Sequence, residues 1–158
     1  MTAAEQVRPF GHYLPATVVG NTVVSAGMTP RIDGELAVSA SVGTDAQAGD
    51  IGVERAAELA GHSVKRAIAA CQQALPEGGR ILRPVSLTVY VRSRADFTGH
   101  SDVANGASAV LAACFDGQVG ARAAIGVSSL PGGSPVEVVL TAEWADHDAG
   151  AVPLNTVR

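Results

Sequence analysis

The stretch GARAAIGVSSLPGGSPVEVVL, Gly120 to Leu140, sets β-prone residues on either side of a Ser/Pro/Gly segment and plants one arginine among residues with almost no side chain. It reads as two strands, Ala121 to Val127 and Val136 to Trp144, joined through Ser128 to Pro135. Side chains alternate along a strand. Val136, Val138, Leu140, Ala142 and Trp144 therefore share one face, and Glu137, Val139, Thr141 and Glu143 share the other. By the same alternation Arg122 goes with Ala124 and Gly126, which this reading assigns to an open, helix-free face, while Ala123, Ile125 and Val127 turn to the core. The small neighbours then leave room for a small ligand beside the guanidinium, whose planar fork of donors suits a carboxylate. A hairpin between the two strands would bring Glu137 near Arg122. The pair is then either an ion pair stabilising a subunit contact, or an acid/base or water-positioning group beside a carboxylate-binding arginine.

Working outward, Ala16 to Val19 and Thr22 to Ala26 form a hairpin across Gly20-Asn21, with glycine supplying the positive φ. Arg31 to Asp50 shows no periodicity and reads as a long loop with a short strand at Leu36 to Val38; loops of that length often line a site. From Ile51 to Leu75, Val53, Ala57, Ala60, Val64, Ile68, Cys71 and Leu75 recur in steps of three and four, which predicts a long helix. Asp50 is placed to cap it, and Pro76 with Gly78-Gly79 to end it. Val85 to Arg92 alternates as a strand, with Leu87, Val89 and Val91 opposite Ser86, Thr88 and Tyr90. A second helix covers about Asp102 to Phe115, its stripe formed by Val103, Ala107, Val110, Leu111 and Cys114. The order ββαβαββ predicts an α+β fold, one mainly antiparallel sheet with two helices on one face.

The 158 residues are 47% hydrophobic and 16% charged, which suits one domain with its core at about 7–145 and a C-terminal tail at 146–158. A formal net charge of −4, with Lys65 the sole lysine and no Lys/Arg run, gives no support to a nucleic-acid or membrane-surface partner. The start, MTAAEQVRPF, lacks the pattern of a signal peptide and no apolar run reaches bilayer length, so a cytoplasmic location is expected. Cys71 and Cys114 read as small hydrophobes. His12, His62, His100 and His147 lack metal-ligand spacing, so neither a metal nor another cofactor is expected.

The strand-turn-strand from Arg122 through Leu130-Pro131 to Val136-Glu137 resembles the C-terminal signature of the RidA (YjgF) family of enamine/imine deaminases. Gly11-His12-Tyr13 is similar to the family's Gly-x-Tyr, and Val24 to Pro30 to its Ser-Gly-x-x-Pro. Val85 to Val91 with Asp96-Phe97 is similar to its Val-x-Val-x-Val-x-Asp-Phe, and Asn105 stands where the family has an Asn early in its second helix. The resemblance spans roughly Val7 to Ala145. Ala124 replaces a frequent cysteine, Ala26-Gly27-Met28 replaces Ser-Gly-Gln, and the loop before the first helix is longer than usual, which marks a divergent branch.

The resemblance implies the chorismate-mutase-like fold in a homotrimer, with open sheet faces forming a central barrel and sites in the clefts between subunits. It implies hydrolysis of reactive 2-enamino or 2-imino acids to 2-keto acid and ammonia. Arg122 would bind the substrate carboxylate, Tyr13 would pack over it, Gly27 and Asn105 would shape the site, and Glu137 would position the attacking water. A non-catalytic binder of small carboxylates would need the same Arg122 without that role for Glu137. Endoribonuclease activity, once attached to the family, is disfavoured by the acidic balance.

Overall fold

A computed structural model describes residues 6–43 and 49–146. Strands β1 (Ala16–Val19) and β2 (Thr22–Ser25) form the expected hairpin, with Gly20 at φ 57° in its turn. Three more long elements follow the link after β2: helix α1 (Val53–Ala74), strand β7 (Gly79–Arg92) and helix α2 (His100–Cys114). Strands β8 (Ala121–Val127) and β9 (Val136–Asp146) complete the order. Among the described residues of the link lie four two-residue strands, β3 (Arg31–Ile32), β4 (Glu35–Leu36), β5 (Ser41–Val42) and β6 (Asp50–Ile51).

The described part of the link thus holds more regular structure than its composition suggests. β3 and β4 pair across Asp33-Gly34, whose φ values of 53° and 82° are those of a tight hairpin turn. Asp-Gly was the available signal, and the strand sits at Glu35–Leu36 rather than at Leu36 to Val38. β5 and β6 pair in parallel, and Val42 also bridges Ser93. Asp50 lies in β6, so it does not cap α1; Gly52 takes the N-cap position with no side-chain cap.

The sheet order β1-β2-β9-β7-β8 corrects the expected hairpin between the last two strands. β8 pairs in parallel with β7, as a strand does when a helix returns the chain across the sheet. Residues 128–135 then carry the chain past the end of β7, where the Arg92 N–H donates to the Pro135 carbonyl at 2.8 Å. β9 inserts between β7 and β2, antiparallel to both. The rest of the sheet is antiparallel, and Pro84 falls at a register shift in β7, where a missing donor is tolerated.

Both helices cover one face. Val23, Leu87, Val89, Val91, Val136, Val138, Leu140 and Ala142 are buried beneath them. On α1 the buried stripe runs through Ala56, Leu59, Ala60, Ser63, Val64, Ala67, Ala70 and Cys71, so its centre lies about one residue off the predicted line. The helices approach closely at Gly106, where a Cβ would collide with the Ala57 carbonyl. Cys71 is buried, and burial pushes its thiol up to about 12. Cys114, expected in the packing stripe, is instead exposed at the end of α2. Among the described residues no helix covers the other sheet face. That face leaves Val24 and Ile125 37% and 41% exposed. Among the described residues no helix is long and apolar enough to cross a membrane.

Candidate functional site

The register of β8 decides where Arg122 points. Arg122 pairs with Leu87, Ala124 with Val89 and Gly126 with Val91, all partners that face the helices. Arg122 therefore lies on the helix side of the edge strand, and Ala123 and Ile125 lie on the open side beside Thr88 and Tyr90. This inverts the face expected from the sequence. The reason is the strand's place: alternation ties Arg122 to Ala124 and Gly126, but at a sheet edge short residues suit either face.

α2 supplies what an arginine on that side needs. Arg122 Nη1 donates to Asn105 Oδ1 at 2.8 Å and to Ser108 Oγ at 3.0 Å, and Nη2 donates to Ser101 Oγ at 2.7 Å. Residues 101, 105 and 108 follow one helix face at steps of four and three. Three of the five guanidinium N–H groups are thus engaged, and the side chain remains exposed. Ser101 and Ser108 escaped the sequence reading, although their spacing from Asn105 was a usable signal. The volume above Gly126 is occupied, because a Cβ there would run into the His100 ring. His100 in turn contacts Ser93 Oγ through Nε2 at 3.2 Å and meets Phe97 edge-on, with ring centroids 4.9 Å apart.

Glu137 belongs to a second group. It pairs with Tyr90, on the open side of the central strand β9, with β7 between it and β8. An ion pair between Glu137 and Arg122 of the same protomer is excluded by that geometry. Met28 and Val138 exchange backbone hydrogen bonds at 2.8 and 2.9 Å, which holds Gly27 against Glu137. A Cβ at Gly27 would fall on the Glu137 carboxylate. Tyr13, 51% exposed, closes the same cavity of about 70 Å³, which Arg8, Arg31 and Arg66 also line. Burial raises the pKa of Glu137 above its ordinary value, since charging a carboxylate away from water costs free energy.

The five residues singled out from the sequence therefore fall into two sets in one protomer. Tyr13, Gly27 and Glu137 surround one cavity, while Arg122 and Asn105 meet at the sheet edge. The family model described as Endoribonuclease L-PSP matches residues 3–144. The chain belongs to this family, the RidA/YjgF family.

Protein TCP17 of Trypanosoma cruzi is 36% identical over 138 residues, covering 82% of this chain and 79% of that protein. The crystal structure of Atu1372 from Agrobacterium tumefaciens, described as of unknown function, superposes with a TM-score of 0.71 at 29% identity, over 84% of this chain and 81% of that one. The YjgF gene product of E. coli superposes with a TM-score of 0.59 at 22% identity, over 85% and 90% of the two chains. Two helices on one face of a mixed, mostly antiparallel sheet are thus the chorismate-mutase-like fold of the RidA/YjgF family. Among the described residues no cluster of three His, Cys, Asp or Glu is arranged to hold a metal ion.

Proposed function

We propose that this RidA/YjgF protein is a hydrolytic deaminase of reactive 2-enamino or 2-imino acids, with its site in the cleft between subunits of a homotrimer. The observation that carries the reading is the exposed Arg122 guanidinium, fixed by three side chains of α2 with donors to spare. A guanidinium held in this way is prepared to grip a carboxylate through paired hydrogen bonds. Glu137 faces the opposite side of the sheet, so a cleft that uses both draws them from different copies. The helix-free face, with Val24 and Ile125 exposed, favours such an assembly.

In the cleft, Arg122 of one protomer binds the substrate carboxylate, and Asn105 holds the arginine. Tyr13 and Glu137 of its neighbour close over the imine carbon, and Gly27 leaves the Glu137 carboxylate room. Glu137 orients a water and takes a proton as the oxygen attacks the C=N carbon. The resulting carbinolamine then expels ammonia and leaves the 2-keto acid. A group whose pKa is raised toward neutrality suits both accepting and returning that proton.

The test is the release of pyruvate from freshly generated 2-aminoacrylate, followed against the uncatalysed rate. Acceleration that Arg122→Ala removes is expected. Binding of 2-ketobutyrate without any acceleration would instead make the protein a small-carboxylate binder. An RNA substrate finds no support in a formal net charge of −4.

A further inference from the structure

We propose that the cavity beside Glu137 contains a second anion subsite, so that the preferred ligands are dicarboxylic 2-imino and 2-keto acids. This rests on Arg122 as the grip for the first carboxylate. Arg8, Arg31 and Arg66 come from the N-terminal segment, the link after β2 and helix α1, and all three line the cavity. Glu137 is the one acid among its described lining residues. In a chain of net charge −4, this grouping of arginine residues runs against the bulk composition.

Arg31 is also held in place. Its Nη1 donates to the Gly34 carbonyl at 3.0 Å, and its guanidinium lies 3.6 Å from the centroid of the Phe10 ring. A tethered cation loses less freedom on binding an anion than a swinging one. A cavity of about 70 Å³ has room for a terminal carboxylate on a short arm. The 1-carboxylate then lies on the neighbour's Arg122 and the terminal carboxylate beside Arg31 and Arg8, with the imine carbon between them near Glu137. Hydrolysis is unchanged: water adds to C=N, ammonia leaves, and the second carboxylate takes no part in bond making.

The deciding comparison is 2-oxoglutarate against 2-oxopentanoate, equal in carbon number and different in the terminal carboxylate, by calorimetry on the intact protein. The dicarboxylate is expected to bind at least ~10-fold more tightly, and Arg31→Met should bring the ratio toward one while Arg31→Lys partly restores it. Arg8→Gln provides the same readout should the Arg31 variants fold poorly, and circular dichroism checks each variant. Equal wild-type affinities, or no binding of either acid, would overturn the second subsite. A preference that survives both Arg31→Met and Arg8→Gln would overturn its assignment to this cavity. The first-carboxylate reading fails by a different sign: Arg122→Ala that leaves 2-oxopentanoate affinity unchanged.

Discussion

Arg122 and Glu137 stand on opposite faces of one sheet, with strand β7 between their strands. Fifteen positions apart in sequence, they cannot meet within a protomer, and a site that uses both requires a second copy. The homotrimer proposed above is expected in solution. Light scattering at micromolar concentration should return three times the chain mass of 15.9 kDa, and a monomeric mass would remove the intersubunit cleft.

Arg122→Ala is expected to abolish binding of small 2-keto acids while the protein stays folded, because the side chain is exposed at an edge strand and not part of the core. A lost charge-assisted bond costs about 1.5–3 kcal/mol. Ser101→Ala with Ser108→Ala should weaken binding by less, since Asn105 still holds Nη1. Calorimetry ranks the variants, and unchanged affinity in Arg122→Ala would contradict the carboxylate grip.

Glu137→Gln should preserve ligand affinity and lower turnover by ~10²–10⁴-fold, the usual contribution of a general acid-base group. Its effect on stability has a definite sign. The folded-state pKa is raised by desolvation, so the folded protein binds this proton more tightly than the unfolded chain. Stability contributed by the protonated form is present below the ordinary carboxylate pKa and is lost as pH rises through the raised value. Thermal melts of the Gln variant should therefore match wild type at low pH and equal or exceed it at neutral pH. A melting point lowered at neutral pH with turnover intact would make Glu137 a structural residue.

Gly106→Ala should be destabilising by about 1–3 kcal/mol, the typical cost of forcing an extra group into a packed interior. The new Cβ meets the backbone of Ala57, which cannot rotate aside as a side chain could. Because Asn105 is the next residue, ligand affinity should fall together with stability. Urea denaturation measures the first and calorimetry the second; a midpoint equal to wild type would show that the helices separate at no cost.

The periodicities are legible in the sequence itself. Steps of three and four between Val53 and Leu75 imply a helix, and alternation from Leu87 to Val91 and from Val136 to Ala142 implies strands whose apolar faces lie inside. The family signature from Arg122 to Glu137 was equally visible, because it is a matter of residue type and spacing. Alternation also ties Arg122 to Ala124 and Gly126 as residues of one face. It does not say which face, since Ala and Gly carry too little hydrophobic burial to choose a side.

That choice came from register with Leu87, Val89 and Val91 and from the hydroxyl and amide groups that α2 presents at Ser101, Asn105 and Ser108. Strand order likewise lay beyond local pattern. Two strands separated by a short turn can pair with each other or with a strand between them, and here the strand beneath α1 and α2 that best buries Val136, Val138 and Leu140 is the central one. Side-chain pattern determined the long elements and the inner faces of β7 and β9, because these depend on neighbours in the chain. Only the tertiary structure decided that Arg122 and Glu137 part company, because the partners of an edge strand and of a central strand are chosen by burial across the whole sheet.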